Sequence, residues 1–520
     1  MRTFPDGFLF GVSTAGHQIE GDNVTSDTWF LEHQQPTVFR EPSGTACNSY
    51  VLWESDLDLV ADLHLDAYRF SIEWARVEPE EGVVDEAALA HYAAMVDGCL
   101  ARGLKPVVTL NHFTSPHWFA ARGGWLDPQA PDLFARYVAT VIDRIGDRIA
   151  YAVTFNEPNL PHLLRWAGLP PIVAELERAT LAAAAESAGV ERYRAANVVL
   201  PEDLDAIAEG MTAGHRAARA VIKDRVPSLP VGLSLALVDD VVVGDDPSVR
   251  DRKRAEVYQR WLELARGDDF VGVQNYERLA YDGTGLVRAE GPARGAMTGG
   301  GEPASLAEAA RYAYAVAGVP VLVTEHGLAG PDDAARVAFI EDSLPHLLDA
   351  MEDGVPVLGY LHWTLLDNFE WIFGYDVALG LVAVDRETFV RTPKPSASAY
   401  AAIAAARGVP DPVTSDAFVA TDRPGRYGKQ LAAHLGKRAQ TEWDEAAGRG
   451  SIRFGHGGRA DLVAQDAGLR MRLTARPASV ERLEGVLGGH LVRFGARDEL
   501  VTSWTRSDGT PGSEQRKDTE

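Results

Sequence analysis

Cysteine is almost missing: Cys47 and Cys99 are the only two in 520 residues. Two isolated thiols make neither a disulfide framework nor a metal-ligand spacing, so both are expected to be buried thiols. Long apolar runs are missing as well. No stretch approaches the ~20 residues of a membrane-spanning helix without a charge or a turn residue. The opening MRTFPDGFLFGV lacks the basic segment, apolar run and small-residue cleavage site of a secretory signal. These absences point to a cytoplasmic protein. Positive charge is scarce, with 50 Lys and Arg against 75 Asp and Glu and a formal net charge of -25. That balance opposes binding to nucleic acid or an anionic membrane, and leaves neutral or cationic small molecules as the expected partners. Composition does not indicate the oligomeric state.

The chain does have apolar material for large cores, being 46% hydrophobic. Eight short runs rich in Val, Ile, Leu, Phe and Tyr begin at Phe8, Ala67, Lys105, Ala150, Pro230, Phe270, Pro320 and Val357. Helix-favouring, alanine-rich segments separate them. Runs apolar on both faces suit a parallel sheet covered by helices, and eight strand-helix repeats suit a closed (β/α)8 TIM barrel. A doubly wound open sheet is the alternative, but no Gly-rich phosphate loop follows the first run.

ARGVPDPVTSD, with two prolines and a glycine, reads as a linker. The expected domains are therefore a barrel over 1–405, a linker over 406–416, a small α+β domain over 417–508, and a polar, disordered tail over 509–520. In the small domain, helices are expected around RPGRYGKQLAAHLGKRA and ASVERLEGVLGGHLVRF. Strands are expected at SIRF, ADLVAQ, LRMRLTA and ELVTSWTR.

In a barrel of this kind the C-terminal strand ends form the mouth of the active site. Those ends supply Gln18, Arg69, Glu73, His112, Asn156, Glu157, Tyr276, Glu325 and Trp363. Glu157 and Glu325 end the fourth and seventh strands, facing one cavity. Glycoside hydrolysis needs such a pair: one carboxylic acid to protonate the leaving oxygen, and one carboxylate to attack the anomeric carbon or activate water. A gap near ~5 Å marks retention and one above ~6.5 Å inversion, a distance that sequence does not give. A structural salt bridge is the competing reading for each glutamate taken alone. His112 and His117 lack the further ligands that a metal site requires.

FPDGFLFGVSTAGHQIEG, YRFSIEWARVEP, TFNEP, VTEHG and GYLHWTLLDNFEW occur in this order, and together they resemble glycoside hydrolase family 1, the β-glucosidase and β-galactosidase family, over about residues 4–405. The resemblance implies Glu325 as nucleophile and Glu157 as general acid/base. It implies Arg69 and Tyr276 as residues that orient the nucleophile, and Gln18, His112, Asn156 and Glu370 as hydrogen-bond partners of sugar hydroxyls. Trp363 and Trp371 would supply the aromatic wall, which suits the apolar C–H faces of a sugar ring. No metal and no organic cofactor is implied. The expected activity is that of an exo-acting retaining β-glycosidase on unphosphorylated β-D-glucosides, with galactosides or fucosides as further candidates. Transglycosylation to an acceptor alcohol and a catalytically silent sugar-binding protein are the rivals.

The chain departs from the family at His326, where asparagine is usual, at Gln274, and at Ala378 and Leu379. These changes put glucose specificity in question. Residues 161–209 are alanine-rich and charged, and are expected to form helices beside the aglycone site. The C-terminal segment resembles a family of small bacterial domains of unknown function. Its His434, His456 and His490 show no short metal-binding spacing.

Overall fold

The computed structural model describes residues 1–168, 170–287, 301–436, 439–454 and 458–517. They divide into two compact units, one of residues 4–407 and one of residues 408–520 with residues 1–3.

The larger unit is a closed parallel barrel of eight strands: β1 (Leu9–Ser13), β2 (Ala67–Ser71), β3 (Lys105–Thr109), β4 (Tyr151–Asn156), β5 (Val231–Ala236), β6 (Phe270–Gln274), β7 (Val321–Glu325) and β8 (Val357–Trp363). All eight apolar runs form strands, and the open sheet is excluded because β8 pairs with β1. A helix packs outside each crossover: α1 (Ser49–Asp62), α2 (Glu86–Ala101), α3 (Ala130–Ile145), α4 (Leu204–Arg225), α5 (Arg260–Ala265), α6 (Ser305–Ala317), α7 (Asp333–Glu352) and α8 (Pro395–Ala406). Leu9, Ala67, Val107, Val153, Phe270, Leu322 and Leu361, from seven different strands, form one buried cluster. This is the filled interior layer that makes such a barrel a core rather than a pore. Gly11 allows β1 and β2 to approach, since a Cβ there would lie 2.5 Å from Ala67 O and from Leu361 Cδ2.

Residues 161–209 form helices Leu160–Ala167 and Pro171–Ala188 before α4 begins, with Leu169 outside the described residues. Leu181 and Ala184 are buried with Leu31, Phe39 and Phe369, so the second helix packs onto segments that follow β1 and β8. Both cysteines are free and buried, and burial pushes each thiol up to about 12.

The smaller unit is an antiparallel sheet of seven strands: β9 (Val413–Ala420), β10 (Ala439–Asp444), β11 (Arg449–Phe454), β12 (Arg459–Gln465), β13 (Gly468–Ala475), β14 (Thr502–Arg506) and β15 (Pro511–Gln515). Their order is β10-β11-β12-β13-β9-β14-β15. Helices α9 (Pro424–Leu435) and α10 (Pro477–Phe494) contribute to a single core with it. Alternating burial along β9 and β13 marks one face as solvated.

Two expectations are corrected here. The linker over 406–416 is largely regular structure: α8 runs to Ala406, Gly408–Val409 pairs with Arg2–Thr3, and β9 begins at Val413. Val413, Ser415 and Ala417 alternate inward, and that pattern outweighs the breaker signal of Pro410 and Pro412. The tail over 509–520 is not disordered up to Lys517, because β15 pairs with β14. Its anchor is Glu484, a buried residue of α10. That carboxylate accepts from Ser513 N at 3.0 Å and Ser513 Oγ at 2.8 Å, and from Arg506 Nε and Nη2 at 2.8 Å each. His434 and His490 sit with ring centroids 4.7 Å apart, and His456 lies outside the described residues. Among the described residues no group of three or more His, Cys, Asp or Glu could hold a metal ion, and no helix is long and apolar enough to cross a membrane.

Candidate active site

Strand alternation alone would misplace Glu325. Leu322 faces the barrel interior, so a regular strand would turn Thr324 inward and Glu325 outward. A register irregularity between Val323 and Glu325 brings Glu325 opposite Gln274 instead. A second irregularity lies between Val153 and Asn156, after which Asn156 stands opposite Ser234. Such local bulges re-aim side chains beside active sites. Glu157 follows with φ 43°, in the left-handed region, and its N–H donates to Ser234 O at 2.8 Å.

The buried carboxylate of Glu325 is gripped from two sides. Arg69 Nη1 donates to Oε1 at 2.6 Å, and Tyr276 Oη donates to Oε2 at 2.8 Å. Arg69, wholly buried on β2, is itself fixed by Thr109 Oγ1 at 3.0 Å from Nε and by Asn156 Oδ1 at 2.6 Å from Nη2. Gln274 Nε2 reaches the same Asn156 oxygen at 2.7 Å.

This asymmetry separates the two glutamates. Burial lifts the carboxyl of Glu157 well above the usual range, and the charge of Glu325 lifts it further against the opposing pull of Arg69. Burial raises Glu325 as well, and Arg69 and then Tyr276 offset part of that rise. Of the two carboxyls, Glu157 is therefore the one pushed further toward its protonated form.

A polar and aromatic wall surrounds them. Glu370 is buried, and burial followed by the charge of Glu325 raises it to about 8. Gln18 Nε2 donates to Phe369 O at 2.7 Å. The His112 ring lies near-parallel to Trp363, with centroids 5.7 Å apart, and to Trp371, 6.2 Å apart. Burial, then the charge of Arg69, keeps His112 neutral. Gln18 Oε1, His112 Nδ1, Gln274 Oε1 and Glu370 Oε1 are all buried, with no hydrogen-bond partner among the described residues. Native proteins rarely leave buried polar atoms so, and these four belong to residues grouped around the two glutamates, where they are available to a polar ligand.

The structure brings together the residues to which the resemblance gives catalytic, orienting and sugar-binding roles, but not every strand-end candidate. Glu73 stands behind them, accepting from Ser71 Oγ at 2.9 Å and Asn23 Nδ2 at 2.8 Å. His326 points away: it is fully buried against Phe339 of α7, with ring centroids 4.6 Å apart, and hydrogen-bonds Tyr360 Oη at 3.0 Å. Burial pushes its imidazole down to about 3. Thr109 and His17 escaped the sequence reading. His17 stacks on Trp371 at 5.7 Å and pairs with Glu32 at 2.9 Å, and its place next to Gln18 was the available signal.

The model of Glycosyl hydrolase family 1 matches residues 1–196 and 308–409. This chain belongs to glycosyl hydrolase family 1. It is 33% identical over 443 residues to a β-glucosidase of Agrobacterium sp., covering 77% of this chain and 95% of that protein. A bifunctional β-D-glucosidase/β-D-fucosidase of Bifidobacterium breve is 31% identical over 466 residues, covering 76% of this chain and 97% of that protein. The solved structure of β-glycosidase BGL167 is 44% identical with a TM-score of 0.72, covering 78% of this chain and 98% of that one. Residues 416–505 match a second family, described as an uncharacterized protein conserved in bacteria (DUF2218). The family 1 unit is a β-glycosidase, a hydrolase of small-molecule glycosides.

Proposed function

We propose that the chain is an exo-acting retaining β-glycosidase of unphosphorylated β-D-glucosides, with fucosides or galactosides as further substrates. The observation that carries this reading is the unequal treatment of the two glutamates: Arg69 and Tyr276 both bind Glu325. In the first step a Glu325 oxygen bonds to the anomeric carbon, the bond to the aglycone oxygen breaks, and the proton of Glu157 goes to that oxygen. Esterification removes the charge of Glu325, which lowers the proton affinity of Glu157. In the second step water attacks the same carbon, Glu157 takes its proton, and the ester bond to Glu325 breaks.

Substrate class follows from charge. A sugar phosphate bound in this wall would bring its negative charge beside the Glu325 carboxylate, whose partner Arg69 is already engaged, and Glu157 and Glu370 offer it no compensating positive charge. A neutral hexoside meets no such repulsion.

A panel of aryl α- and β-glycosides of several sugars, with wild type and Glu325→Ala in parallel, tests the reading. Turnover of β-glycosides by wild type alone supports it. Turnover of α-glycosides, or β-glycoside turnover that survives Glu325→Ala, overturns it.

A further inference from the structure

Gln274 is buried, and sequence marks it only as a departure. Its role follows from a chain of donors. An arginine guanidinium carries donors only, so the Asn156 atom 2.6 Å from Arg69 Nη2 must be the carbonyl oxygen. The Gln274 atom 2.7 Å from that oxygen must then be its amide nitrogen. The orientation of both amides is thereby fixed, and Asn156 has only its NH2 left to offer. The carbonyl Oε1 of Gln274 is left buried and unpartnered among the described residues.

We infer that Gln274 is a positioning residue and sets recognition of the hydroxyl next to the anomeric carbon. This inference rests on the glycosidase reading above. Asn156 and Glu325 are bound by one guanidinium, so Asn156 lies beside the carbon that Glu325 attacks. Of the anomeric carbon's two ring neighbours, one is the ring oxygen and the other carries the 2-hydroxyl. The Asn156 NH2, held by two donors on its oxygen, is the group that meets that hydroxyl, in a contact that strengthens as positive charge develops on the ring. An asparagine at 274 would be one methylene short of Asn156.

The test is calorimetric binding of a glucose-configured iminosugar and of its analogue lacking the 2-hydroxyl, to wild type, Gln274→Met and Gln274→Glu. Methionine keeps length and volume without the donor; glutamate keeps the shape and places a carboxylate against the Asn156 oxygen. The expected result is a ~10-fold or greater loss of affinity for the full inhibitor in both variants, with affinity for the 2-deoxy analogue nearly unchanged. Equal losses for the two inhibitors, or none, would overturn the inference by leaving Gln274 a packing residue. Binding does not require turnover, so failure of this inference is distinguishable from failure of the proposed retaining mechanism. A parallel kcat and KM measurement on an aryl β-glucoside is expected to show the loss mainly in kcat.

Discussion

Tyr276 Oη stands 2.8 Å from Glu325 Oε2, the carboxylate oxygen that Arg69 leaves to it. The phenol therefore acts on the charge state of Glu325 as well as on its direction, and it is among the groups that oppose the rise burial imposes on that carboxyl. Tyr276→Phe removes a hydrogen bond to a charged group, a loss of about 1.5–3 kcal/mol, or roughly 10- to 150-fold in kcat/KM on an aryl β-glucoside. The acid limb of the pH profile is expected to move to higher pH in the same variant, because Glu325 gains a proton more easily. Initial rates across pH check both.

In the proposed mechanism Glu157 acts through its proton, so the leaving group decides how much its loss costs. Glu157→Ala is expected to slow alkyl β-glucosides by ~10²- to 10⁴-fold and to spare the first step for nitrophenyl leaving groups, which depart without protonation. Pre-steady-state kinetics on the two substrate types separates the steps. For wild type, activity is expected to fall on the alkaline side as Glu157, raised by burial and by Glu325, loses its proton.

His326 follows Glu325 in sequence but faces Phe339 of α7 and Tyr360 of β8. His326→Asn is expected to leave the ranking of sugars unchanged while lowering thermal stability. The wild-type imidazole, pushed down to about 3 by burial, contributes stability that is present above its unfolded pKa of about 6.5 and is lost as pH falls toward 3. Melting curves of both proteins at neutral pH and at pH 5, beside the substrate panel, check the pair of expectations.

Much of this site was legible in the sequence because barrel strands are short apolar runs and function collects at their ends. Glu157 and Glu325 stood out for that reason. The direction in which Glu325 points was not legible, since the irregularity at Thr324 exists only in the pairing with β6. The Gln274–Asn156 link was hidden likewise, because it joins strands 118 residues apart in sequence. The polar composition of 509–520 concealed β15, whose order comes from Glu484 and the partner strand β14 rather than from apolar content.

Glu484 also fixes a stability expectation for the smaller unit. Its carboxyl is held down to about 2; burial opposes this, but the hydrogen bonds from Arg506, Ser415 and Ser513 prevail. The stabilisation is therefore present above the unfolded pKa of about 4.3 and is lost as pH falls from there toward 2. Glu484→Ala leaves the Arg506 guanidinium without this partner and is expected to cost about 3–5 kcal/mol. Denaturant unfolding of the full chain, followed through Trp504 and the other tryptophans, is expected to show the smaller unit unfolding first in the variant.

The assignment of Glu325 as nucleophile is tested most directly by trapping. Wild type incubated with a 2-fluoro-β-glucosyl fluoride, whose glycosyl-enzyme hydrolyses slowly, is digested and its peptides are weighed. The account predicts one added fluoroglycosyl mass on the peptide that contains Glu325. Rapid turnover of an ordinary β-glucoside by the same preparation with that peptide unmodified, or the added mass on any other residue, would contradict it.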